Sequence, residues 1–475
     1  MFTRWLRFGG GALVVAIVAG ACGSATTSPT ASSWPSFTSS PIGQASPTAS
    51  PAAGPTPLMS TAPEGYPVAF GKGAMLAPAA DSGTQAGAEI NDFAFDLLRR
   101  LDAKGNLCAS PTSIALALAM VRPGAKGVTA AQMDQVLHSF GSTSQASETV
   151  AFLQALAGVT FYDDSDFNSS DPKATPDHSK MTPVVELDVS NAVFAQQGMT
   201  LQPAYLDSLS SVYGAGVGLV DYQNNTEAAR LAINKWGNLR TKGRIPNILS
   251  PGDIDSSTRI TLANAIYFKA IWDEQFDVSA TKKLSFTRAD GSKVSVPTMA
   301  MQMEYMYGAG TGYRSIKIPF VYSSAYMTII VPDNMATFIS GLSAASLASM
   351  ESKQSIYIVN LTLPKFSTDS RSDLATILQA MGMTSAFDPT SADLSGITTD
   401  QKLWLYNVIH EANIDVDENG TTAAAVTVVG GRGGAGEPPP STTFHINKPF
   451  LYFVQESTTG AVLFMGRIDD PSAKS

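Results

Sequence analysis

The sequence predicts an α+β fold, on three observations. Runs at helical spacing crowd the first half, strand-like runs crowd the second, and no internal repeat divides the series. One domain over residues 81–475 is large for a single unit, but 44% hydrophobic residues can supply its core. Ile90, Phe93, Ala94, Leu97, Leu98 and Leu101 share one helix face, and Gly105 offers a stop. Ser110 then caps a buried helix over 111–120, with Pro111 suited to its first turn. Further helices are expected at 202–212 and 226–241. Strands are expected at 184–194, 258–268, 327–331, 356–363, 403–416 and 451–454. Residues 161–182, polar and rich in Asp, Ser and Pro, read as a surface insertion.

Ahead of this domain, Arg4 and Arg7 precede an apolar run over 11–19 and then Ala19-Gly20-Ala21-Cys22. A basic start, a short apolar core and a small-residue cleavage site make residues 1–21 a signal peptide. The run is too short to span a membrane as a helix. Cys22 at the first mature position resembles a bacterial lipobox, whose thiol is lipidated, although Ala19 stands where Leu is more usual. The alternative is an ordinary secretory signal with an incidental cysteine. Residues 22–80 are mostly Ser, Thr, Pro, Ala and Gly and bury too little to offset the entropy of ordering, so they read as a flexible tether. The expected location is extracytoplasmic, anchored through the lipid on Cys22 or secreted. Cys108 is left without a partner and reads as a small buried hydrophobe.

A net charge of −9 argues against a nucleic-acid partner, which needs a basic face. No Gly-x-Ser-x-Gly elbow and no phosphate-cradling Gly-rich loop occurs, so an enzyme is not expected. His138, His178, His410 and His445 are scattered, giving no zinc-ligand cluster. Asp415-Val416-Asp417-Glu418-Asn419-Gly420 matches half of a calcium loop, but its twelfth position is Val426 where a bidentate Glu is needed. No metal or other cofactor is therefore expected. The sequons at Asn168, Asn224, Asn360 and Asn419 carry no implication in a bacterial lipoprotein.

The informative stretch begins at Glu418. After Asn419 and Gly420 come Thr421, Thr422, Ala423, Ala424, Ala425, Val426 and Thr427, then a glycine tract holding Arg432, Gly433, Gly434 and Ala435, then Pro438-Pro439-Pro440. On composition this is a flexible linker before the last hairpin. It can also fit a strand slot: Thr421, Ala423, Ala425 and Thr427 would share one face, all small and uncharged.

Motifs in order resolve the choice. Asn106 with Ser110-Pro111-Thr112-Ser113-Ile114, Asn264-Ala265-Ile266-Tyr267-Phe268-Lys269 with Trp272, and Leu363-Pro364-Lys365-Phe366 come first. Met381-Gly382-Met383, Ala386-Phe387, Ala392-Asp393-Leu394-Ser395-Gly396-Ile397, His410 and Ala412 follow. The stretch from Glu418 to Ala425, Asn447-Lys448-Pro449-Phe450 and Leu463-Phe464-Met465-Gly466-Arg467-Ile468 complete the series. Together they resemble the serpin family over residues 89–471.

That resemblance implies a three-sheet α+β fold, metastable, with an exposed reactive loop. A serine-type protease cuts the loop, which then enters the main sheet and drags the covalently attached protease with it. It implies a monomer. It assigns Ser110, Ser113, Asn264 and His410 to a shutter beneath the sheet, Trp272 to the breach where insertion begins, and residues 418–426 to the hinge. Asn419 and Thr422 stand where charged residues are common in the family. With Glu418 at the family's P17 position, the cut falls at Gly434–Ala435. Arg432–Gly433 competes, because Arg432 is the one Arg or Lys between Glu418 and Lys448. A non-inhibitory serpin serving as a surface binding protein is the alternative.

Overall fold

The structure is a computed structural model that describes residues 66–81, 83–101, 105–162, 183–406, 408–421 and 438–473. Helices and two sheets surround one large core, as the α+β reading expects. The helix Pro111–Val121 lies wholly buried at its centre. Its N-cap is Ser110, whose hydroxyl accepts from the Ser113 N–H, with Pro111 in the first turn. It packs against the strands Val185–Gln196, Ile260–Ala270 and Val462–Ile468, so every side of it meets protein and its sequence shows little polar periodicity.

The first sheet has six strands in the order Val68–Ala69, Val217–Val220, Val185–Gln196, Ile260–Ala270, Ile409–Val416, Phe366–Asp373. Behind it, a second apolar cluster with Trp236, Tyr222 and Ile248 seats the helix Tyr222–Arg240. The remaining strands connect into a single nine-stranded sheet. The three sheets implied by the resemblance become two by connectivity, because the strand Lys293–Gly310 is long enough to serve two regions. It pairs with Lys282–Thr287 and Ser355–Pro364 along most of its length and with Tyr313–Pro319 at its end. Pro297 hides that strand from sequence reading, since proline argues against a central strand. Here it sits where the strand passes from one partner to the next.

Several boundaries move. The first helix is Thr84–Leu98 and ends before Gly105, which instead takes a left-handed turn conformation (φ 78°). Among the described residues of the run 403–416 only Ile409–Val416 is strand; Leu403 and Leu405 are buried coil anchored by the Leu405 N–H to Ala386 O. A run of buried apolar residues has the same look in either case. Packed chain is already present ahead of the boundary at 81 read from composition: Val68 and Ala69 pair with Gly218 and Val217. Residues 1–21, expected to be a signal peptide, Cys22, and residues 163–182 of the expected insertion lie outside the described residues. Cys108 is buried, and burial pushes its thiol up to about 12, so it packs as a hydrophobe.

Candidate functional site

The strands Ile260–Ala270 and Ile409–Val416 run parallel at the centre of the first sheet. Their ladder consists of Ile409–Ala263, His410–Asn264 and Glu411–Ala265. Beyond these pairs, residues 266–270 and 412–416 continue side by side with no ladder between them among the described residues. The two strands are therefore joined at one end and parted toward the other.

The joined end is a polar row. Asn191, Asn264 and His410 sit in register across three strands, above Ser110 and Ser113 of the central helix, and all five are buried. Asn264 Nδ2 donates to Ser113 Oγ at 2.6 Å and to Asn191 Oδ1 at 2.5 Å. Its Oδ1 lies 2.6 Å from His410 Nδ1, and the Ser110 N–H donates to His410 Nε2 at 3.0 Å. An accepting Nε2 places the ring proton on Nδ1 and leaves the imidazole neutral. Burial agrees, lowering its pKa from 6.5 to about 3. One donor is left over: the buried Asn191 Nδ2 has no partner among the described residues. Glu411, the next residue, projects from the other face. Burial first, and then the charge of Asp369, push its carboxyl up to about 7 against the pull of Arg371.

The parted end is closed by the chain that follows Ile409–Val416. Asp417 to Gly420 turn, with the Asp417 N–H bonded to Gly420 O at 2.9 Å. Trp272 grips this turn twice, through its backbone N–H to Asn419 O at 2.9 Å and its indole Nε1 to Asp417 O at 3.0 Å. The indole is fixed by stacking on Phe320, centroids 4.6 Å apart and planes 6° from parallel. Gly420 is held so close to the neighbouring strand that a Cβ would lie 2.0 Å from Ala270 O, and its φ is 147°. Thr421 then docks on Ala270. Its N–H donates to Ala270 O at 2.8 Å, the Ala270 N–H donates to its hydroxyl at 2.9 Å, and it is 1% exposed.

Glu418 is the buried charge of this turn. Its carboxylate meets Lys365 Nζ at 2.6 Å and Thr281 Oγ1 at 2.7 Å. Burial works to raise its pKa, but the hydrogen bonds from Lys365 and Thr281 prevail and hold it below the usual value. Asp415, part of the half calcium loop, is committed to Arg244 and to Ser367 Oγ at 2.5 Å.

The structure thus brings Ser110, Ser113, Asn264 and His410 into one cluster, and Trp272, Glu418, Gly420 and Thr421 into another. Thr422, Ala423, Ala424, Ala425 and Val426, and the bond candidates Arg432, Gly433, Gly434 and Ala435, lie outside the described residues. Sequence reading missed Asn191, Thr281 and the role of Lys365. Lys365 was visible only as part of Leu363-Pro364-Lys365-Phe366, and nothing local pairs it with a residue 53 positions away.

Comparison with known proteins gives concordant results. The family model described as Serpin (serine protease inhibitor) matches residues 88–471. The chain is 32% identical over 392 residues to leukocyte elastase inhibitor of Xenopus tropicalis, covering 80% of this chain and 97% of that protein. It is 33% identical over 390 residues to human Serpin B3, with the same coverage of 80% and 97%. Among solved structures, the thermophilic serpin tengpin in its native state superposes with a TM-score of 0.71 at 24% identity, covering 84% of this chain and 97% of that one.

Proposed function

The chain belongs to the serpin family, and on that premise we propose that it inhibits serine-type proteases by inserting its own cleaved loop into the six-stranded sheet. The observation that carries this reading is the parted interval between Ile260–Ala270 and Ile409–Val416, with Thr421 docked at its head. A strand entering there would pair both faces of the gap, and the residues after Thr421 are small and uncharged. The protease serine attacks the loop carbonyl, the peptide bond breaks, and the downstream amine leaves, so the upstream half of the loop remains as an acyl ester on the protease. Insertion then pulls that ester away from an intact oxyanion hole before water releases it. The protein's own part is mechanical, and it needs no catalytic residue or cofactor.

A small P1 residue at Gly434 suits an elastase- or subtilisin-like target, in keeping with the name of the elastase-inhibitor relatives. Cutting after Arg432 instead suits a trypsin-like pocket but shortens the insertable arm by two residues, so Gly434–Ala435 is preferred. Lipidation of Cys22 would hold the inhibitor, a monomer, at a membrane surface.

The test is incubation with elastase, subtilisin and trypsin, seeking SDS-stable complexes on a gel and the cut bond by mass spectrometry. Complexes with Gly434 as the acyl residue are expected. Arg432→Ala should abolish only any trypsin complex, and loss of all complexes in that variant would overturn the Gly434 assignment. Cleavage without any stable complex would favour a non-inhibitory, surface-binding serpin.

A further inference from the structure

We propose that a cavity at the end of the strand Ser441–His445 is a binding site for a small aromatic carboxylate. The cavity measures about 190 Å³. Four strands of the nine-stranded sheet line it, and none of its side chains belongs to the polar row or to the hinge turn. The site therefore stands whether or not the loop inserts.

The backbone frames this space. Thr362 and His445 are the last pair of the parallel ladder between Ser355–Pro364 and Ser441–His445. Beyond that pair the Ile446 N–H donates to Thr362 O at 3.0 Å, and the Thr287 N–H donates to Asn447 O at 2.9 Å. The two-residue link 446–447 thus runs from Ser355–Pro364 to Lys282–Thr287, two strands with Lys293–Gly310 between them. The cavity lies within that span, with Thr298 of the intervening strand in its lining.

One part of the lining is apolar. Phe286 and Ile446 are each 1% exposed, and Leu284 stands at the rim, 41% exposed. Protein interiors hold few voids larger than a water molecule, and water beside these three side chains would find few partners. An apolar cavity of about 150 Å³ can hold benzene. This one is large enough for a ring with a short polar arm.

The other part of the lining suits an anionic arm. His445 Nδ1 lies 2.9 Å from Thr362 Oγ1, and its Nε2 has no partner among the described residues. With the Thr362 hydroxyl donating to Nδ1, the ring carries its proton on Nε2 and can donate it to a ligand. Lys282 stands directly opposite Thr298 in the ladder and is exposed. Among the described residues no acidic side chain lines the cavity, although the whole chain carries a net charge of −9. An imidazole N–H and a neighbouring ammonium favour a carboxylate and disfavour an amine.

The experiment titrates the full chain with phenylacetate by calorimetry, with phenylethylamine as the control of similar size and opposite charge. Phenylacetate should bind one site with a Kd on the order of 0.1–1 mM, as a ligand of about ten heavy atoms can. Phenylethylamine should bind at least about tenfold more weakly. Leu284→Asp puts a like charge at an exposed rim position, so it should leave the melting temperature as in wild type and weaken phenylacetate at least about tenfold. His445→Ala should weaken it as well. Bound phenylacetate should slow hydrogen exchange at the Ile446 and Thr287 amides, which frame the cavity, and leave the Trp272 and Phe276 amides of the hinge turn unchanged. No saturable binding, equal binding of phenylethylamine, or phenylacetate binding that survives both substitutions would overturn the proposal.

Discussion

The strand Ile260–Ala270 has a neighbour on each side, and the two are held in unlike ways. Toward Val185–Gln196 the ladder runs from Val185–Ala270 to Ala195–Ile260, the whole length of both strands. Toward Ile409–Val416 it is three pairs long and centred on a polar latch of Asn264, His410, Asn191, Ser110 and Ser113. Each neutral hydrogen bond contributes only about 1 kcal/mol net, and its groups can be re-satisfied when the strands part. The ladder toward Val185–Gln196 runs over eleven pairs, so far more backbone bonds would have to part at once. The sheet is thus built to open at one joint, and the turn from Asp417 to Thr421 waits at the head of that joint.

The largest expected effect is at Thr421. The side chain is already buried against Ala270, so Thr421→Arg forces a guanidinium into a seat that fits a hydroxyl, at a cost of several kcal/mol. The variant should be cut as a substrate with stable complex reduced to a trace, read as the ratio of complex to cleaved product. Cleaved wild type should melt well above the intact protein, and the cleaved variant should gain little. An unchanged ratio would mean that Thr421 does not lead the insertion.

Acidity should act next on the short joint. The folded pKa of His410, about 3, lies below its ordinary 6.5. The folded state then binds fewer protons, so the latch's stability is full above about 6.5 and falls as pH drops toward 3. Glu411 has the opposite sign: raised to about 7, it stabilises the folded state below its ordinary 4.5 and loses that contribution as pH rises through 7. Between about 4.5 and 6.5 the two oppose each other across the same short ladder. Glu411→Gln removes one of them, so its denaturation midpoint should fall more steeply than wild type's between pH 7 and 4.5. Parallel slopes would show that the Glu411 carboxyl is not raised in the folded state, and a flat slope in the variant would show that His410 keeps a partner for its second proton.

How much of this was legible in the sequence differs between the joints. Ser110, Ser113, Asn264 and His410 stand in motifs, and the helix cap of Ser110 follows from local chemistry alone. Asn191 lies in an unremarkable strand, and its place in the row is set by register with Asn264, which no local pattern encodes. The packing of the segment 66–80 was hidden for a different reason. Residues 66–80 carry the same Gly, Pro and Ala as the tether before them, and composition cannot tell a segment that is loose from one fixed by backbone bonds to a helix. The long strand Lys293–Gly310 was concealed by Pro297, because only the partner change along it makes proline acceptable there.

The smallest effect belongs to the charge that holds the hinge turn. Lys365 Nζ meets Glu418 at 2.6 Å, with the lysine about a third exposed and the glutamate nearly buried. An exposed lysine pair contributes about 1 kcal/mol or less, so Lys365→Met should barely move the unfolding midpoint of the intact protein. Its consequence is local. Without the ammonium, Glu418 keeps the hydroxyl of Thr281 and loses its strongest partner, and burial then drives its pKa upward. In wild type the depressed carboxyl stabilises the turn above its ordinary pKa and ceases to do so as pH falls through the folded value. In the variant that loss should come at higher pH. The turn should therefore loosen under milder acid, seen as faster hydrogen exchange at the Trp272 and Phe276 amides, which donate to Asn419 O and Glu418 O. The Asn264 and His410 amides, in the latch at the other end, should exchange as in wild type. Equal acceleration at both ends would mean that the sheet opens as a whole and that the two ends of this joint are not separate devices.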